Sequence, residues 1–181
     1  LRTRVMAFDV PYHELTSQNV SGLANWGAHD PGVHQHSRPE QLAREIEDRF
    51  GPYPAKRFIY GYVWPDAVRT AQMGRTLDAA LRLRSGIAQW LMAERLPDWG
   101  LAIIVVSEVH SALEALWHGW DKSHPLNGLP SAKPAREGIV QLYRTLDTML
   151  KDLSERFEDA ALCLFSPHGM GPNKSDLPAM A

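Results

Sequence analysis

The sequence predicts an α/β protein: a three-layer α/β/α sandwich with a mostly parallel sheet covered by helices on both faces. Three observations carry this. Two runs at residues 4–10 (RVMAFDV, apolar without a break over 5–8) and 101–106 (LAIIVV) are short and rich in apolar residues, as strands buried on both faces are. A third such run follows at 160–165 (AALCLF). Between them lie longer stretches with helical periodicity, so strands alternate with helices along the chain.

The first run is rich in β-formers and is stopped by Pro11. Residues 12–39 contain Gly, Asn, Ser, Pro and several His with neither a helical nor an alternating period, and read as one long loop. Asp30–Pro31–Gly32 is a turn signal inside it. Ser37 is placed to cap a helix over 39–50, with Pro39 tolerated in its first turn, Glu40 at its positive end and Gly51 stopping it. Asp66 is placed to cap a long helix running to about Leu96, where Pro97 ends it. Met73, Leu77, Leu81, Ala88 and Leu91 share one side of that helix, and Arg69, Arg75, Arg82, Arg84 and Arg95 read as a solvated face.

The run at 101–106 leads into Ser107, Glu108 and His110 and turns helical, with Glu114 and His118 spaced by fours. A loop at 123–134 precedes the clearest helix, 136–157. There Ile139, Leu142, Tyr143, Leu146, Met149, Leu150, Leu153 and Phe157 repeat at helical spacing. The last strand, 160–165, leads into SPHGMGPN.

Composition excludes several classes. The 181 residues suffice for one sizeable core, and 44% hydrophobic with 22% charged residues is ordinary for a globular chain. A formal charge of −2 gives no general attraction to nucleic acid or anionic membrane, so no nucleic-acid polymer is expected as a partner. No apolar stretch approaches the roughly 18–20 residues that span a bilayer, and no signal-like N-terminus is visible. Cys163 is the only cysteine, so no intrachain disulfide forms, which suits a reducing, cytoplasmic compartment. No GxSxG, Walker, GxGxxG or CxxC motif occurs. The chain begins at Leu1 in front of a strand-like run and ends in SDLPAMA, and reads as a piece of something larger.

The chemistry-bearing residues fall at strand ends, where open α/β sheets bind ligands. His110 and Glu114 share a helix face, and an imidazole and a carboxylate so placed serve either as a surface hydrogen bond or as ligands of one metal ion such as zinc. His168, before Gly169, sits where a ligand or acid–base group belongs, or is satisfied inside a turn. Gly169 and Gly171 permit sharp bending, and Asn173 is placed to orient a ligand oxygen. His29 is read as a turn cap or as a substrate contact. His118 and His124 flank a Gly-Trp-Asp step and either can approach the site. His13, His34 and His36 lie scattered in the long loop, with no common scaffold in the sequence to gather them on a metal.

The order of these pieces resembles the type I phosphodiesterase/nucleotide pyrophosphatase branch of the alkaline phosphatase superfamily. The residues that carry it are Trp117, His118, Asp121, His124 and Pro125 after the His-bearing helix, then TLDTML at 145–150 and SPHGMGPN at 166–173. The opening AFDVP and the later WGAHDP fit as well, so the likeness spans nearly the whole chain. It implies that residues 1–181 form a single segment from the middle of an alkaline phosphatase-like catalytic domain. The implied activity is metal-dependent hydrolysis of phosphate esters, phosphodiester or nucleotide pyrophosphate above all, on a small-molecule phosphate or sulfate ester. It implies two divalent metal ions, zinc in kind, which clamp attacking and leaving oxygens together.

Carried over, the family's ligand positions fall on His110, Glu114 and His168, with His29, His118 and Asn173 toward substrate. The nucleophile is expected upstream of Leu1 and a final His ligand downstream of Ala181, so the 181 residues alone are expected to lack hydrolase activity. Two departures stand out. His110 and Glu114 reverse the family's carboxylate–imidazole order, and Pro167 replaces a carboxylate ligand with a side chain that has no donor atom. These leave room for a relative that binds without turnover, or for a sulfatase-type hydrolase. A sheet short of strands has open edges, which invite a homo-oligomer.

Overall fold

A computed structural model describes residues 3–27, 34–58, 66–166 and 169. It is α/β, with four strands in a mostly parallel, mixed sheet flanked by helices. In chain order these are β1 (Val5–Phe8), β2 (Val20–Ala24), β3 (His36–Arg38), α1 (Leu42–Phe50), α2 (Ala67–Trp90), β4 (Leu101–Ile104), α3 (Glu108–Trp120) and α4 (Ala132–Arg156). A short 3-10 turn at Lys56–Phe58 and a π-helical turn at Leu91–Arg95, which prolongs α2, complete the set. The chain divides into two compact units, one formed by residues 1–60 and 82–107, the other by residues 61–81 and 108–181.

The first unit holds the sheet, in the order β3-β2-β1-β4. β1 pairs in parallel with β2 (Val5 opposite Val20) and with β4 (Val5 opposite Leu101), while β3 runs antiparallel to β2. Met6, Ala7 and Phe8 are all buried, so β1 is covered on both faces, as its unbroken apolar sequence requires. Gly22 in β2 carries φ 150°, and a Cβ there would overlap the Ala7 carbonyl. Only glycine lets the two strands meet at that point.

The sequence misplaces three features of the sheet. Residues 12–39 are not a single loop, since they contain β2 and β3. Both strands are short, β2 interrupted by Ser21 and Gly22 and β3 polar throughout, so tertiary pairing rather than local pattern makes them. The run at 101–106 is not a buried strand: β4 ends at Ile104, and Leu101 and Ile103 are 48% and 40% exposed on the sheet's outer edge. The run at 160–165 forms no strand. It is irregular and open, with Leu162, Leu164 and Phe165 at 56%, 65% and 80% exposure.

Helix starts follow their capping chemistry. Asp66 accepts the Val68 and Arg69 N–H groups at 3.0 and 2.9 Å, satisfying donors that the first turn of α2 leaves open. Ser37 caps α1 from β3, six residues ahead of its partner: its hydroxyl accepts the Ala43 N–H at 2.9 Å. In the second unit α4 presents Ile139, Leu142, Met149 and Leu153 inward, whereas Tyr143 of the same stripe is 46% exposed. Two glycines fix the crossing of α2 and α4, because a Cβ on Gly74 would stand 2.9 Å from the Gly138 Cα. Nearby, the Thr145 hydroxyl donates to the Asp78 carboxylate. No described helix is long and apolar enough to cross a membrane.

Candidate functional site

Because β1, β2 and β4 are parallel, their carboxyl ends open on one side of the sheet, where ligands bind in folds of this kind. A closed network of buried polar groups occupies that end. The Asp9 carboxylate, directly after β1, accepts the N–H groups of Trp26 (2.7 Å) and Gly27 (3.0 Å) beyond β2. It also accepts Arg84 Nη2 at 2.7 Å. The same guanidinium donates to the Val105 carbonyl (2.7 Å) and the Ser107 hydroxyl (3.0 Å) beyond β4. Ser107 closes the ring by donating to the Gly27 carbonyl at 2.9 Å. Asp9 and Arg84 are both at 0% exposure.

Arg84 also lies over the Phe8 and Trp26 rings, 5.3 and 5.1 Å from their centroids, a stacking geometry suited to guanidinium. Gly27 must be glycine, since a Cβ there would come within 2.6 Å of Tyr53 and 2.9 Å of Arg84. Among the described residues four hold positive φ without being glycine: Asp9 (60°) and Asn25 (56°), which follow β1 and β2 directly, and Tyr12 (53°) and Leu15 (50°) in the connection between those strands. Such conformations are sparse away from Asn and Asp and cluster at functional ends of folds.

This network overturns one expectation and was missed by another. Arg84 does not belong to a solvated face. Its place was readable in the spacing, since 77, 81, 84, 88 and 91 form one stripe and all its other members are buried. A buried arginine on an apolar stripe requires a buried carboxylate, and Asp9, closing an apolar strand, is that partner.

The expected metal and substrate residues lie in the second unit or outside the described residues. On α3, His110 Nε2 stands 4.0 Å from Glu114 Oε2, both side chains 42% exposed. Zinc bonds of about 2.0–2.1 Å set tetrahedral ligands about 3.3–3.4 Å apart. The two atoms therefore need to close by only about half an ångström, which half-exposed side chains permit. The pair fits one metal ion as two of its ligands. His29, His168, Asn173 and Pro167 lie outside the described residues. Among the described residues no group of three or more His, Cys, Asp or Glu side chains gathers as a metal cluster.

His118 is 4% exposed, and its Nε2 meets the Ser131 hydroxyl at 3.0 Å where α3 gives way to α4. Burial holds its imidazole below its ordinary pKa, and the neighbouring His124, ring centroids 6.2 Å apart, adds to the shift. The Asn127 amide donates to the His118 carbonyl at 2.8 Å. Asp121 accepts the Ser123 hydroxyl (2.7 Å) and N–H (2.8 Å), which lowers its carboxyl pKa. His124 Nδ1 accepts the Leu126 N–H at 3.1 Å. The Trp117–Pro125 motif thus builds the turn between two helices.

Neither models of known protein families, nor curated proteins, nor solved structures give a match to this chain.

Proposed function

We propose that this chain belongs to a metal-dependent hydrolase of phosphate esters, of the phosphodiesterase or nucleotide pyrophosphatase kind, with His110, Glu114 and His168 as metal ligands. The observation that supports this best is the His110–Glu114 pair, one imidazole nitrogen and one carboxylate oxygen 4.0 Å apart on α3. Two zinc-like ions bound in such a site would stabilise the charge that develops on the ester oxygens. His110 and Glu114 would hold and orient the ion, His168 would add a second imidazole, and His29, His118 and Asn173 would face the substrate. That substrate is a small phosphate or sulfate ester, and the protein self-associates in this reading.

The test is a zinc titration of the full chain beside His110→Ala and His168→Ala. Weaker binding in each variant is expected, and undiminished binding in both would sink the assignment. Chelator-sensitive turnover of p-nitrophenyl phosphodiesters by the intact protein that contains this segment is the matching activity readout.

A second reading has its own observation. Pro167 stands where the resemblance places a carboxylate ligand, and proline has no side-chain donor. A relative that kept the scaffold and binds its ester without cleaving it fits that change. Zinc-dependent binding of a phosphate ester with no turnover in the intact protein distinguishes this from the first reading.

A further inference from the structure

The connection between α3 and α4 contains a turn whose cap can take up a proton. Residues 124–127 form a β-turn in which the Asn127 N–H donates to the His124 carbonyl at 2.9 Å, with Pro125 in the second position. The first position of such a turn ordinarily carries Asp, Asn or Ser, whose side-chain oxygen accepts the N–H two residues on. Here the acceptor is an imidazole: the Leu126 N–H donates to His124 Nδ1 at 3.1 Å.

A backbone N–H only donates, so His124 Nδ1 is a lone pair and the proton of the neutral ring sits on Nε2. An amide oxygen goes on accepting in mild acid. A second proton on His124, by contrast, goes to Nδ1 itself and sets two N–H groups against each other. The charged ring and the Leu126 hydrogen bond therefore exclude one another. The groups facing His124 act in opposite directions. His118 of α3, ring centroids 6.2 Å away, disfavours a second charge, whereas Asp121 at the end of α3 attracts one. From α4 the junction receives the uncharged Ser131 hydroxyl, bonded to His118.

Little else holds this segment. The His124 N–H donates to the Asp121 carbonyl at 3.1 Å, and the Asn127 amide ties the turn to the His118 carbonyl at 2.8 Å. The close packing of α3 on α4 is built by other residues, Gly119 against the Ala132 carbonyl and Leu116 beside Gly138. The turn can open while the helices stay packed.

We propose that the His124–Pro125–Leu126 turn is an acid-operated latch on the α3–α4 junction: a proton on His124 Nδ1 expels the Leu126 N–H, and residues 121–127 loosen without unfolding the helices. The inference stands apart from the hydrolase reading, because neither metal nor ester enters it.

The test is amide hydrogen exchange of the full chain by 15N NMR, each rate taken relative to unstructured peptide at the same pH. Between pH 7.5 and about pH 5, protection of the Leu126 amide is expected to fall about tenfold, while buried α4 amides such as Leu142 keep theirs. His124→Asn supplies an oxygen that accepts the same N–H and does not titrate, so its Leu126 protection should be equal at both pH values. His118→Gln keeps the cap, and there the fall should persist. Unchanged protection in the parent overturns the proposal, as does an equal fall in His124→Asn. A parallel loss at Leu142 would mean general acid unfolding and overturns it too. Should His124→Asn be unprotected already at pH 7.5, His118→Gln decides: a fall abolished there assigns the effect to His118 and ends the latch.

Discussion

The Arg84 guanidinium and the Asp9 carboxylate meet at 2.7 Å with neither side chain reaching solvent, 75 residues apart in the chain. The pair links the end of β1 to α2, and its other hydrogen bonds reach the segments that follow β2 and β4. Removing one member leaves the other charge buried and uncompensated. Arg84→Met should therefore lose about 3–5 kcal/mol of stability, read as a fall in the urea midpoint. Combined with Asp9→Asn, which removes the stranded charge, the loss should be smaller than the sum of the two single losses. Additive losses would show that the two groups act separately.

Gly119 offers a case where propensity and packing oppose each other. In a helix interior alanine is favoured over glycine by about 1 kcal/mol. A Cβ at Gly119, however, would stand 2.4 Å from the Ala132 carbonyl oxygen and 2.5 Å from the Arg136 nitrogen, both backbone atoms that cannot swing aside. Gly119→Ala should destabilise the protein by about 1–3 kcal/mol net. A stabilised variant in thermal unfolding would show that α3 and α4 do not pack this closely.

His118 sets a pH dependence with a definite sign. Its folded pKa lies below the ordinary 6.5 because burial, and then His124, disfavour the charged ring. Between the folded and unfolded values the unfolded chain binds more protons, so stability rises with pH across that window. The contribution is fully present above pH 6.5 and is lost as pH falls through the folded value. Urea midpoints measured from pH 7.5 downward should drop below about pH 6.5, and His118→Gln should flatten that part of the curve. An unchanged slope in the variant would remove His118 as the cause.

The segment after α4 can be probed through its thiol. Cys163 is exposed, in a run whose neighbours Leu162 and Leu164 are also open to solvent. A thiol reagent such as DTNB should react with it in native buffer as fast as in urea. Strong native-state protection would restore the buried strand that the apolar sequence predicts.

Long, strongly periodic pieces were legible in the sequence alone. The stripe of Met73, Leu77, Leu81, Ala88 and Leu91 is buried throughout, and the Asp66 cap, the helix after Ser107 and the helix ending near Phe157 form where their patterns place them. These features depend on contacts a few residues apart, so local spacing encodes them. The α/β class was legible from the alternation of strand-like and helical patterns along the chain.

Only tertiary structure decided the rest. A strand exists when a partner supplies its ladder, and apolarity does not reveal whether a partner is present. So Val20–Ala24 pairs despite its serine and glycine, while the more apolar run at 160–165 stays irregular and exposed. Likewise an arginine's fate depends on what waits across the core. The chain's own spacing put Arg84 on the buried side of its helix, but only the fold brought Asp9 to it, because charge is tolerated in the interior where an opposite charge and hydrogen bonds meet it.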